Sequence, residues 1–471
     1  MTTLEGNAVS FKSHALRYLF VMVGLVAVAP YAMGQGATTA DAATLLPVKY
    51  DPAQDLPLKI TQPFTFAAVG DILMRRPVGS IDPAHEKLAK IMREADMTFA
   101  NLEGPLGNDG ERNPDSTLDE LKRMGIDMVT TANNHGIEEG IEGIFNQNRM
   151  LAEAGIAQAG SGKNLAEARR AATALTPKGL VAGIGIWSVD HEEEGEATNN
   201  RPGMNFLKLN VSNVVTAEQM QSLKQIRDSV FARRGEVNTP LAPVSEREPA
   251  DRLQLFGSRY KVGPKPGDLS YAMNPADLRG MIASVRGGKQ MADFMAVGIH
   301  VHQNSFAFQA YSHDSHTPDF LIDFAHQMID NGADVFVAHG VHTLRGIEIY
   351  KGKPIFYGLS NFFIHNGPTD DVVNLAGLPS GAGTTRALVH QPDNKEALLT
   401  TSHYDKGKLV EVRIYPADLG RDGTWPSVKR GNPVTPSPEA ARQILEKMQA
   451  LSAPFGTQIE IQNGIGVIKV R

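Results

Sequence analysis

Apolar residues in the first third of this chain come in short runs, each stopped by polar groups that can carry chemistry. Phe64-Thr65-Phe66-Ala67-Ala68-Val69 runs into Gly70-Asp71, and Met97-Thr98-Phe99-Ala100 runs into Asn101-Leu102-Glu103. Met128-Val129-Thr130-Thr131-Ala132 runs into Asn133-Asn134-His135. Runs of this length bounded by turn residues predict buried strands. Between and after them, residues 82–95, 117–124 and 138–154 carry the apolar spacing of helices. Further strands are predicted at 156–159 and 181–187. Residues 189–274 are less regular and read as an insertion holding one helix, 216–233.

The alternation then resumes. Helix 275–289 precedes strand 294–299, which ends at His300-Val301-His302-Gln303. Helix 318–331 precedes strand 335–337, which ends at Ala338-His339-Gly340-Val341-His342. Residues 347–350 and 354–357 predict a hairpin turning at Gly352. Residues 366–390 read as a second insertion, and strand 409–414, helix 438–452 and a hairpin within 457–470 complete the pattern. Strand followed by helix, repeated, predicts an α/β fold with a mostly parallel sheet. In such sheets chemistry gathers at the carboxyl ends of the strands, where all these polar sites fall.

Composition changes the picture only at the amino terminus and in what it excludes. Lys12 and Arg17 precede an apolar stretch, Leu19 to Ala32, followed by small residues. This predicts a signal peptide over 1–34, then a loosely ordered lead-in over 35–60 and one domain over 61–471. The apolar stretch is short for a spanning helix, so the expectation is an exported protein, periplasmic or extracellular. It would be membrane-anchored only if the segment stays uncleaved. A formal charge of -6 without a basic stripe gives no reason to expect a nucleic-acid partner. The chain has no cysteine, which excludes thiolate ligation and a cysteine nucleophile. Any metal must be held by oxygen and imidazole.

Seven of the 14 histidines lie between His300 and His342. Asp71 and Glu103 can offer carboxylate oxygen to a hard cation, and Asn134 its amide oxygen. His300, His339 and His342 can offer imidazole, and His135 can serve as a ligand or as an acid. Two nearby ions would generate a hydroxide and clamp the oxygens of a transferring group. His302 reads as a neighbour of the ligands or as an exposed residue. His313 and His316 sit in a polar loop and read as surface or substrate-facing, while His326 reads as structural. Arg75, Arg76, Lys163 and Arg345 are candidate charge contacts for a polymer.

At these residues the chain resembles the capsule / poly-γ-glutamate biosynthesis (CapA) family, a branch of the calcineurin-like metallophosphoesterase superfamily. The resemblance runs through Ala67–Met74 with Arg76, Asn101–Leu106, Ala132–His135 with Gly140, and Ile299–His302. It continues through Gly332–Val335, His339–His342, Leu344–Glu348 and Pro354–Phe362. It implies a four-layer α/β/β/α sandwich like that of the metallo-dependent phosphatases. It also implies a site of Asp71, Glu103, Asn134, His300, His339 and His342, with His135 assisting leaving-group protonation and Asp71 taking part in catalysis. Arg76, His302, Arg345 and Asn361 would lie behind the ligands or against substrate. The expected cofactor is one or two divalent ions of Mn, Zn, Fe or Mg. The expected function is a hydrolase or transferase acting on an extracellular or envelope polymer, or on a phosphoester. The alternative is a non-catalytic export or assembly factor working with a membrane synthase.

Two departures matter. The wider superfamily opens with an Asp-x-His pair, whereas Leu73 stands at the histidine position and cannot ligate. The terminal histidines are three apart rather than two. Both weaken one metal position and make a single-ion site credible. Ser360 also stands where glycine is common before Asn-Phe.

Overall fold

The computed structural model describes residues 57–74, 78, 83–106, 116–234, 249–305, 314–365, 395–420 and 429–470. The expected signal peptide, most of the lead-in, the 366–390 insertion, Arg75, Arg76 and His313 lie outside the described residues. All described residues belong to the compact unit Pro52–Arg471.

Strand and helix alternate from the start: β1 (Phe64–Leu73), α1 (Pro83–Glu94), β2 (Met97–Leu102), α2 (Ser116–Met124), β3 (Met128–Thr130), α3 (Gly140–Glu153) and β4 (Ala157–Ala159). Short β5 (Ser161–Gly162) and α4 (Leu165–Arg169) lead to the hairpin β6 (Ala172–Thr176) and β7 (Gly179–Val189). The stretch with the weakest sequence pattern is more ordered than that pattern suggests. It holds β8 (Gly203–Met204), β9 (Phe206–Val215), α5 (Ala217–Arg234), β10 (Arg252–Leu255), β11 (Ser258–Val262) and β12 (Leu269–Met273). Next come α6 (Pro275–Met291), β13 (Phe294–His300), α7 (Asp319–Asp330), β14 (Val335–His339), β15 (Ile347–Tyr350), β16 (Lys353–Phe356) and β17 (Asn361–Ile364). The chain closes with β18 (Glu396–Asp405), β19 (Lys408–Asp418), α8 (Pro438–Ser452), β20 (Glu460–Gln462) and β21 (Ile465–Lys469).

These elements make an α/β fold with two large mixed sheets. One runs β20-β21-β19-β18-β1-β2-β3-β4 and the other β10-β11-β9-β7-β13-β14-β16-β15. In the first, β1 to β4 are parallel and β18 joins β1 antiparallel. In the second, β9, β7, β13, β14 and β16 are parallel. The parallel strands are apolar on both faces, as strands covered on both sides must be.

Alternation along each strand divides these residues between cores. Phe64, Phe66, Ala68, Met97, Phe99 and Met128 of the first sheet share one core with Phe294, Ala296, Val335 and Val337 of the second. The intervening residues Ala67, Val69, Ala100, Leu102 and Val129 pack with Leu88, Met92, Leu121, Met124 and Leu151 of α1, α2 and α3. Met295, Val297, Phe336 and Ala338 pack with Met281, Val285, Phe320 and Phe324 of α6 and α7. Each of the larger side chains among them contributes about 1.5–3 kcal/mol on burial. Helix α6 starts sharply because the Asn274 side chain accepts from the Ala276 and Asp277 amides, with proline in the first turn.

Candidate metal centre

The alternation that fills the space between the sheets also places the polar site. Along β2, Met97 and Phe99 face that shared core, so Asn101 and Glu103 continue on the same face past the apolar zone. Along β13 and β14 the same rule follows Phe294 and Ala296 with His300, and Val335 and Val337 with His339. The layer is therefore aromatic at one end of the strands and charged at the other.

Asp71 breaks strict alternation, and a local irregularity accounts for it. The pairing of β1 with β2 shifts register between Ala68 and Asp71, and its pairing with β17 shifts again after Asp71. Such bulges re-aim a side chain. At Gly70 an added Cβ would lie 1.8 Å from the Ser360 carbonyl oxygen, so only glycine permits this approach. Ser360 itself has φ 63°, which explains why glycine would also suit that position.

The buried Asp71 carboxylate accepts from the Asn101 amide at 2.7 Å and from the Gly340 N–H at 2.8 Å. Burial alone would raise its pKa, but His342, His300 and His339 outweigh burial and hold it below the usual carboxylate range. Asn101 also donates to His300 Nδ1 at 3.1 Å. In that state His300 carries its proton on Nε2, which lies 2.9 Å from Asn134 Oδ1 and 3.0 Å from His302 Nε2. Burial keeps His300 neutral, with its pKa pushed down to about 3. As arranged, His300 and Asn134 tie the two sheets together.

Glu103 is the focus of the site. It is 0% exposed, and neither carboxylate oxygen has a hydrogen-bond partner among the described residues. One oxygen lies 3.6 Å from His300 Nε2, 3.6 Å from His342 Nε2 and 4.0 Å from His135 Nε2. Burial raises its pKa, against the pull of His342 and with the push of Asp71, to about 7. An orphaned buried carboxylate costs several kcal/mol unless a cation or donor meets it. Glu103, His302 and His342 bring one ligand atom each within 4.8 Å of one another, so this trio could hold a single divalent ion. Oxygen plus two imidazoles suits a transition ion or zinc.

His342 sits in the turn after β14 with φ 54° and donates from Nδ1 to Asn361 Oδ1 at 2.9 Å. Asn361 opens β17 directly opposite Asp71. His135 bonds Glu138 through Nδ1 at 2.6 Å, leaving Nε2 turned toward Glu103. Its pKa is raised: burial lowers it, but Glu138 and Glu103 prevail.

The family model described as bacterial capsule synthesis protein PGA_cap matches residues 65–366, spanning every strand end that bears a site residue. The chain belongs to this family. The Sinorhizobium fredii protein y4sH, itself uncharacterised, is 33% identical, with 90% of this chain and 96% of that protein covered. The PGA biosynthesis protein CapA of Bacillus subtilis is 23% identical, with 64% and 63% covered. A solved hypothetical protein of Thermus thermophilus aligns over 75% of this chain and 99% of its own, at TM-score 0.37 and 11% identity.

Within this PGA_cap chain the expected site residues divide. Glu103 and His342 stand in the converging trio, and His302 completes it, although its position two residues past His300 suggested a supporting role. Asp71, Asn134 and His300 lie in the hydrogen-bonded frame around the trio. His339 is buried, with neither ring nitrogen hydrogen-bonded among the described residues, and its ring stands 6.1 Å from that of Phe99. Leu73 is half-buried and packs against the core beneath the first-sheet helices, so no ligand comes from that position. Arg345 is not a surface contact. It is 0% exposed and donates to the Gln303 and Asp314 carbonyls, so a polymer cannot reach it without rearrangement. Lys163 is exposed. His316 pairs with Asp314, and His326 pairs with Glu348 and stacks on Tyr350. The cluster and the family together support a metal-associated, polymer-related function.

Proposed function

We propose that this protein is a metal-dependent hydrolase or transferase acting on an anionic extracellular polymer of the poly-γ-glutamate or capsule kind. The observation that carries this reading is Glu103, a buried carboxylate without a donor among the described residues, facing imidazoles from the other sheet. A divalent ion bound there would supply Lewis acidity. His135, anchored through Nδ1 and with Nε2 turned inward, would deliver the proton to the leaving group. The substrate class comes from the family description and from relatives such as the B. subtilis PGA biosynthesis protein. A phosphoester is the other substrate this site chemistry would suit.

The same reading takes the two sheets and their flanking helices as the four-layer sandwich of the metallo-dependent phosphatases, with a second, weaker ion near Asp71. It also takes the protein as exported. Among the described residues no helix is long and apolar enough to cross a membrane.

The test is direct. The chain is stripped of metal, reloaded with Mn, Zn, Fe or Mg, and incubated with poly-γ-glutamate and with phosphoesters. We expect one ion to restore cleavage, and His135→Ala or Glu103→Gln to abolish it. The apolar packing of Leu73 favours a second reading, a non-catalytic assembly factor for a membrane synthase. Intact substrates under every ion, with polymer binding that survives Glu103→Gln, would establish that reading instead.

A further inference from the structure

Arg345 is the largest fully buried side chain among the described residues. An arginine stays charged at any ordinary pH, and burying that charge is expensive unless a carboxylate or a full set of acceptors meets it. Among the described residues no carboxylate lies within ion-pair distance of it. Its Nε donates to the Asp314 carbonyl at 2.9 Å, its Nη2 donates to the Gln303 carbonyl at 3.0 Å, and its Nη1 has no partner among the described residues. As a source of stability this is a poor arrangement. It makes sense as a geometric device.

The contacts identify what it holds. Gln303 directly follows His302, while Arg345 lies three residues beyond His342 in the turn that bears it. The guanidinium thus bridges the two loops that present the two imidazoles of the trio. The Gln303 end is fixed from its other side as well. The Ser188 hydroxyl donates to Gln303 Oε1 at 2.6 Å, and the Gln303 amide donates to Asp190 at 3.2 Å. Asp314 in turn accepts the Ser305 N–H at 2.7 Å.

We propose that Arg345 is a positioning residue that sets the spacing of His302 and His342 for a shared divalent ion. The proposal rests on the metal reading of the site. Side chains behind metal ligands commonly tune affinity by 10–100-fold, and a brace between two ligand loops falls in that class.

Zinc affinity, measured by competition with a fluorescent chelator, tests it through a double-mutant cycle of Arg345→Met and His302→Ala. We expect Arg345→Met to weaken zinc binding about tenfold or more. It should add little further loss once His302 is already alanine. Arg345→Lys keeps the charge but replaces the rigid planar fork with a single donor nitrogen on a flexible stem, and it should fall between wild type and Arg345→Met. Unchanged affinity in Arg345→Met, or losses that multiply independently, would overturn the proposal. The ring-nitrogen NMR signals of His302 in the metal-free protein give a separate readout, which should shift in Arg345→Lys. If wild type binds no zinc, the metal reading fails, and an unshifted His302 signal then removes the brace as well.

Discussion

At the scale of single residues, the site stores unlike charges that proton and metal compete to balance. Burial would lower His342, but Glu103 and Asp71 beside it, with Asn361 on Nδ1, raise it to about 9. A group raised above its ordinary value of 6.5 contributes stability that is complete below that pH and lost as pH climbs through the folded value. His135 is raised also and adds a slope of the same sign. The buried His300, pushed down to about 3, acts oppositely only below its ordinary pKa, and Glu103, raised to about 7, adds a fall of the same sign as His342 that is mostly spent once the pH passes 7. The metal-free protein should therefore lose urea resistance between about pH 7 and 9, and His342→Asn should flatten most of that fall. Zinc affinity should rise across the same range, because a ligating imidazole must give up its proton. A urea midpoint level across this window in wild type would mean that His342 is not charged in the fold.

Which residues would meet here was partly legible. Polar groups at the ends of apolar runs marked Asp71, Glu103, Asn134, His135, His300, His339 and His342. Which of them converge was not, because spacing along a strand cannot tell His300 from His302 once the strand has ended. The loop after β13 turns His302 inward, and the hydrogen bond from Asn101 draws His300 into the frame. Arg345 reads in sequence either as a charge contact for a polymer or as a residue behind the ligands, and nothing decides between them because its acceptors are backbone carbonyls from distant loops, which leave no pattern.

At the scale of elements, the family-like segment Gly332–Val335 has a structural task far from metal chemistry. Asp334 precedes β14 and accepts from Lys289 at 2.7 Å, Lys353 at 2.6 Å and the Met295 N–H at 2.9 Å. Lys289 is 1% exposed and its pKa is lowered, chiefly by burial. Asp334→Ala would strand that ammonium in the core and should cost about 3–5 kcal/mol in urea unfolding. Lys289→Met, which removes the charge along with its need, should cost far less. A loss under about 1 kcal/mol for Asp334→Ala would show that water or a shifted carboxylate replaces it. Most helices and parallel strands follow their apolar periodicity, but α5 does not: its apolar residues keep to no single face, and Ile226 is exposed. Strand β18 does not either, because Leu398, Leu399, Thr400 and Thr401 are buried in succession and show no alternation. It is missing from the elements predicted from the sequence; the turn at Lys406-Gly407, both with positive φ, which joins β18 to β19, is the signal that could have marked it.

At the scale of the whole molecule, the trio spans both sheets. Glu103 ends a strand of the first sheet, while His302 and His342 follow strands of the second. An ion bound among them would cross-link the two halves at the end of the layer where apolar packing gives out. Ligand binding to the folded state alone stabilises it by about 2.7 kcal/mol at a hundredfold excess over Kd. For a unit of this size that corresponds to a rise of about a few degrees in Tm. The stripped protein should gain this increment on titration with zinc or manganese, and the gain should grow logarithmically with ion concentration. Glu103→Gln offers a specific control. It removes the charge that attracts the ion, and with it the anionic neighbour that holds the His342 proton, so its metal-free Tm should fall below that of wild type near pH 7 while the metal-dependent rise disappears. An adventitious surface ion would leave the rise intact in Glu103→Gln. A rise that persists there would move the ion away from the sheet junction, and the proposed chemistry with it.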